Sequence, residues 1–179
     1  TLDGPYLPLN VTATTMTANV TAVGAIGTLT ASSIVGVNDG AGFSSAKDNG
    51  RVMRIKVGAN WGSVRIDSVS STTVANITVE QVLGGTTATL LWREGYLPGN
   101  ASNDAPNNPA VAAFFEGRLV LAGAGRNRNR IDWSKSGDHA NFAPTAADGT
   151  VANDNAISYT LSASDKNSVE WVMSDEKGL

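Results

Sequence analysis

The chain of 179 residues contains no cysteine. That absence removes disulfide frameworks, thiolate metal sites and cysteine nucleophiles together. A single histidine, His139, argues against zinc, which draws on several histidines or cysteines. Aromatic residues make up 6% of the chain and charged residues 16%, the latter well under the roughly 25% of an average globular protein. No apolar run approaches the roughly 20 residues that a membrane-spanning helix needs. The first residue is Thr1, and no charged-then-apolar leader follows it.

What is present is a mixture of Thr, Val, Ala, Ser, Asn and Gly, which suits strands and turns and offers little to long helices. The net charge of −3 is unevenly placed. Up to Arg130 there are ten basic and eight acidic residues; from Ile131 on there are three basic and eight acidic. No strongly basic domain emerges, so the charge pattern predicts no nucleic-acid-binding patch. The acidic end reads as solubilising surface.

The alternation of apolar and polar residues predicts an all-β protein in two parts. Residues 1–9, with two prolines and a glycine, read as a connector. A small antiparallel β-barrel or sandwich is expected over 10–94, a linker rich in proline and asparagine over 95–109, and a propeller-blade-like β region over 110–179. In "RVMRIKV", Met53, Ile55 and Val57 fall on one face, with Arg54 and Lys56 on the other. "GSVRIDSV" places Val64 and Ile66 opposite Arg65 and Asp67, and "TVANITVEQVL" places Ile77, Val79 and Leu83 opposite Asn76, Thr78 and Glu80. These segments bury one face and wet the other, the antiparallel pattern. "NVTATTMTANV", "GTLTASSIV" and "TTATLLWR" are expected as further strands.

In the second part, "AVAAFF" and "RLVLAGAG" form a hairpin turning at Glu116–Gly117, followed by strands in "RIDWSKS", "ISYTLSA" and "SVEWVMS". Phe114, Leu119 and Leu121 are expected to fill the core between adjacent sheets. "AVAAFFEGRL" and "SVEWVMSDEKGL" share a weak pattern compatible with repeated blades. The last segment stops as a strand begins, so the sequence reads as a piece of a longer polypeptide whose second part is truncated.

Several short motifs invite a chemical reading. Gly123 to Gly125 follow an apolar strand, as in a dinucleotide-binding turn, but position 128 is Arg and a strand follows where a helix is needed. A turn is expected there. Arg126, Arg128 and Arg130 alternate, so on a strand they share one face. They suit either a clamp for an acidic partner or phosphate, or, as favoured here, a solvated sheet edge. Ser136, Asp138 and His139 are the residue types of a hydrolytic triad, yet residues so close in sequence cannot form the triad relay. Asp148, Asn153, Asp154 and Asn155 are rich in oxygen but miss the calcium-loop spacing. Sequons begin at Asn10, Asn19, Asn76 and Asn100, frequent by chance in such a composition. No catalytic, cofactor-binding or metal-ligating residue is nominated, and the chain is not expected to be an enzyme.

"NNPAVAAFFEGRLVLAGAG", "WSKSGDHANF" and "DNAISYTLSASDKNSVEWV" together resemble the core signature of bacteriophage tail nozzle proteins, the tail tubular protein B family. "GRVMRIKVGANWGSVRIDSVSSTTV" with "LGGTTATLLWREG" resembles the small β domain that precedes this signature. The resemblance covers most of the chain from about Asp3 on. It departs at "RNRNR" and at Asn155, where an acid is common. It implies a structural virion protein of the phage tail, assembled in the bacterial cytoplasm. Its partners would be copies of itself in a ring, six in the usual arrangement, together with neighbouring tail or adaptor proteins. Phage DNA would pass through the ring during ejection without sequence-specific binding. The alternative is an adhesin or carbohydrate-binding module, whose sign would be clustered exposed aromatics. Trp61, Trp92, Trp133 and Trp171 are scattered, and core or interface positions are expected for them. A glycan hydrolase would need a matched carboxylate pair, and the acids are too dispersed to nominate one.

Overall fold

The computed structural model describes residues 6, 7, 9–97, 108–124, 127–162 and 168–173. Their regular structure is nearly all β: ten strands in two sheets, with one short helix, α1 (Ser45–Asp48), and a 3-10 turn at Asn38–Gly40.

The first sheet contains β1 (Met16–Ala18), β2 (Ile26–Ala31), β3 (Val52–Val57), β4 (Asn60–Ser71), β5 (Val74–Gln81) and β6 (Trp92–Glu94), in the spatial order β1-β2-β5-β4-β3-β6. Every pairing is antiparallel. Register shifts between β4 and β5 sharpen the twist, and the sheet curls into a half-barrel. Met16 and Thr89 exchange both backbone hydrogen bonds, at 2.8 and 2.9 Å, which draws the two edges together.

The curl encloses the apolar faces read from the alternation. Met53, Ile55, Val57, Val64, Ile66, Ile77 and Val79 are all buried in one cluster, with Leu29, Phe43, Leu83 and Trp92. Each such side chain contributes about 1.5–3 kcal/mol through removal from water.

Three expected strands are shorter than the sequence suggests. In "NVTATTMTANV" only Met16–Ala18 is strand, because Asn10 instead ties the preceding loop by donating to the carbonyls of Thr12, Thr14 and Leu90. "GTLTASSIV" is strand only to Ala31. "TTATLLWR" reduces to the Thr89 bridge and β6.

The second sheet contains β7 (Val111–Phe115), β8 (Arg118–Ala124), β9 (Asn127–Trp133) and β10 (Ile157–Thr160), in the order β10-β9-β8-β7. The hairpin turns at Glu116–Gly117 as expected. Both residues have positive φ, 46° and 73°, the primed geometry that matches strand twist. The third strand starts earlier and ends sooner than "RIDWSKS", since Lys135 and Asp138 close a tight turn. Residues 168–173 of "SVEWVMS" form no strand, although the Val169 N–H donates to the Arg128 carbonyl at 2.9 Å. The second copy of the weak repeat thus lacks the hairpin of the first over its described residues.

The register sorts the second sheet into two unlike faces. Ile157, Trp133, Val120 and Ala113 lie in one cross-strand row, and Tyr159, Ile131, Ala122 and Val111 in the next. The opposite face carries Ser158, Asp132, Leu121 and Ala112 in one row, with Arg130 and Thr160 beside them. Phe114, Leu119 and Leu121 belong to this second face. Leu121 is buried, but Phe114 is 65% exposed and packs in a T-shaped arrangement with the His139 ring, centroids 5.0 Å apart. Of the three residues expected to fill an inter-sheet core, Leu121 is buried, Leu119 half-buried and Phe114 exposed within this chain, while the Glu116–Gly117 turn sets the parity that buries Val120 and Ala122 on the opposite face.

Candidate functional site at the junction of the two sheets

The outer face of the first sheet should be wet, by its alternation, but part of it is not. Arg54 and Arg93 are direct cross-strand partners there, as are Lys56 and Trp61. The connection between β9 and β10 covers this face. The Arg54 guanidinium donates to the Thr145 carbonyl at 2.7 Å, to Thr145 Oγ1 at 2.9 Å and to the Ala146 carbonyl at 3.2 Å. The Trp61 backbone N–H donates to the Ala147 carbonyl at 2.5 Å. Arg54 also lies over the Trp61 ring, 5.0 Å from its centroid. Sequence alternation placed Arg54 in solvent; the covering loop leaves it 2% exposed.

Beside this contact is a cleft of about 470 Å³, lined by Arg54, Trp61, Gln81, Lys135, Asn141 and Asn155 among others. Lys135 is held at its rim by Asp154, 3.2 Å away. The lining offers hydrogen-bond donors and amides but no carboxylate, so it brings no acid–base pair together.

A second junction is built on Arg130. Its guanidinium grips both oxygens of Asp132 at 2.8–3.0 Å and donates to the Tyr6 carbonyl at 2.7 Å. It also lies 4.6 Å from the centroid of Tyr96, whose hydroxyl donates to the Ala124 carbonyl at 3.3 Å. Burial raises the Tyr96 phenol pKa, against the pull of the adjacent Arg130 charge. Tyr6 bridges to Gly95, and Leu7 donates to the Glu94 carbonyl, so the chain entering and the chain leaving the first sheet are pinned together to the second.

The favoured edge reading of the arginine ladder is corrected here. β9 is an interior strand, flanked by β8 and β10, and Arg130 is 6% exposed. Arg128 is exposed, and Arg126 lies outside the described residues.

The remaining singled-out residues stay apart. His139 Nε2 approaches the Gly117 carbonyl at 3.1 Å, Asp138 Oδ1 accepts from the Ala140 N–H, and the Ser136 N–H donates to the Asp154 carbonyl. They build the turn after β9 and form no relay. Asp148 caps the Thr150 N–H, which lowers its carboxyl pKa, while Asn155 Nδ2 donates to the Thr150 carbonyl. Asp148, Asn153, Asp154 and Asn155 are thus placed as loop-shaping groups. Gly123 has φ +71° at the β8–β9 bulge, and a Cβ there would lie 2.5 Å from the Val169 carbonyl oxygen. The residues of "GAG" that are described serve close packing. Gly125 lies outside them.

Of the tryptophans, Trp92 is a core residue whose indole N–H donates to the Thr14 carbonyl at 2.9 Å, and Trp61 sits at the junction. Trp133 is half-buried on the apolar face, whereas Trp171 is 72% exposed and so is not a core residue of this chain.

One buried polar cluster has no signal in the sequence beyond its Asp-Gly and Asn-Gly turns. Arg51 pairs with Asp48 at 2.7 Å and donates to Asn38 Oδ1 at 2.6 Å, while the Asn38 N–H donates to Glu94 at 2.9 Å. Burial raises the Glu94 pKa, opposed by Arg51 and the Asn38 N–H. No family model and no curated protein matches the chain.

Proposed function

We propose that the chain is a structural subunit of a bacteriophage tail, a nozzle protein of the tail tubular type that assembles with its own copies around the channel for DNA ejection. The observation that carries this reading is the second sheet. It is a four-stranded antiparallel meander in chain order, the arrangement of a propeller blade. Its two all-apolar cross-strand rows are incompletely covered, with Ile157 50% and Tyr159 58% exposed. A blade needs a neighbour on such a face.

The residues that carry the resemblance also supply the positions with the strictest local demands. Gly117 supplies the turn. Arg118 donates to the carbonyls of Ser134, Asn155 and Asn153 at 2.6–2.8 Å, and Ser134 Oγ accepts from the Leu119 N–H at 2.9 Å. "FFEGRL", "SKSGD" and "DNAISYTL" are thereby joined in one scaffold. In this reading the protein works by assembly and by shape.

Native mass spectrometry and negative-stain imaging test the proposal. Closed rings with a central channel, of six copies, are expected. A strictly monomeric protein that binds defined oligosaccharides on a glycan array, with loss of binding in Trp171→Ala, would overturn it in favour of a carbohydrate-binding module.

A further inference from the structure

We propose that the outer face of the first sheet holds a binding site for a phosphate-type oxyanion, formed by Arg93, Lys56 and the Trp61 indole N–H, with Arg54 behind them. Arg54 and Arg93 stand directly opposite each other on neighbouring strands, a like-charge pairing that sheets disfavour. Arg54 is occupied by the carbonyls of Thr145 and Ala146. Among the described residues the Arg93 guanidinium has no hydrogen-bond acceptor or carboxylate partner: its Nε, like those of Arg51 and Arg54, is buried without an acceptor, and the guanidinium lies 6.0 Å from the centroid of the Trp61 ring. By contrast, Arg51, Arg65, Arg130 and Lys135 each hold a carboxylate within 3.2 Å. Burial lowers the Arg93 pKa.

Lys56 lies on the same face, two residues along β3 from Arg54, and forms no ion pair among the described residues. Its Nζ and the Trp61 Nε1 flank one point beside Gly149, 3.9 and 3.7 Å from where a Cβ on that glycine would sit. The Trp61 ring is therefore the common neighbour of a guanidinium fork, an ammonium and an indole N–H, three kinds of donor with no carboxylate among them. A tetrahedral oxyanion presents several acceptors in different directions. It can take two oxygens to the fork and others to the lysine and the indole. Binding would offset both the desolvated charge of Arg93 and its repulsion from Arg54. The same chemistry is presented by a free phosphate and by the backbone of a polynucleotide.

Thermal unfolding in sodium phosphate or sulfate, against sodium chloride at matched ionic strength, tests the site. Oxyanion tenfold above its Kd should raise Tm by about 3–5 °C. Arg93→Gln and Lys56→Gln should lose that rise, and Arg65→Gln should keep it. Without oxyanion, Arg93→Gln should be at least as stable as the parent, since it removes the unpaired charge; that result separates loss of a site from loss of the fold. An identical rise in the parent and in Arg93→Gln, or none beyond chloride, would overturn the proposal. A duplex oligonucleotide arm assigns the source. Binding that weakens with salt and is lost in Arg93→Gln points to a backbone phosphate, and phosphate binding without oligonucleotide binding points to the free ion.

Discussion

Replacing Arg130 by Met tests what holds the second sheet to the strands that enter and leave the first. Arg130 and Asp132 are 6% and 4% exposed, and they are each other's charged partner. Met fills much of the same volume but strands the Asp132 carboxylate in a buried site. Breaking a buried pair in this way costs about 3–5 kcal/mol. The Tyr6 carbonyl loses a charged donor and Tyr96 loses its stacked cation, adding about 1–2 kcal/mol. At about 2–4 °C per kcal/mol for a chain of this size, Tm should fall by roughly 10–20 °C. The double variant Arg130→Met with Asp132→Leu removes both charges. It should recover most of the loss, leaving a deficit of about 1–2 kcal/mol from the Tyr6 and Tyr96 contacts. Urea unfolding of the parent, both single variants and the double variant supplies the cycle, with constant m-values as the check on two-state behaviour. A double variant no more stable than Arg130→Met, or a neutral Arg130→Met, would refute the reasoning.

Ile66→Asp places a carboxylate in the centre of the half-barrel core and should cost several kcal/mol, about 3–5, in thermal unfolding. Glu116→Asn should stabilise the hairpin by up to about 1 kcal/mol, because Asn accepts the positive φ of 46° with less strain; unfolding midpoints measure it. Glu94→Gln carries a pH signature. Burial raises the folded-state pKa of Glu94 above its ordinary value of 4.5, so its stabilising contribution is complete below pH 4.5 and is lost as pH rises above it. The Tm of Glu94→Gln minus that of the parent should grow more positive from pH 4 to pH 7, and a flat difference would contradict the assignment. Removing Ser136, Asp138 and His139 together by alanine substitution should leave no turnover to lose, which an activity screen before and after substitution checks.

Much of the fold was legible because strand periodicity is a local property. In β3, β4 and β5 each apolar residue at spacing two became a core residue, and Gly117 marked its turn through a backbone requirement that neighbouring residues already express. The same periodicity says which side chains share a face but not what covers that face. Arg54 and Arg130 read as solvated cations. One is roofed by the loop from Thr145 to Ala147, ninety residues away in sequence, and the other by Tyr6 and Tyr96. Phe114 read as core and is 65% exposed, although it shares the face bearing Asp132 and Arg130, because that face is covered around Arg130 by Tyr6 and Tyr96 and left open at the hairpin end. Composition and alternation determined the all-β class and the apolar faces of β3, β4 and β5. Only tertiary packing decided which charges lose their water, since desolvation depends on what the distant chain brings to each face. It is therefore also the source of the proposed Arg93 site, where two arginines face each other and one of them has no counter-charge among the described residues.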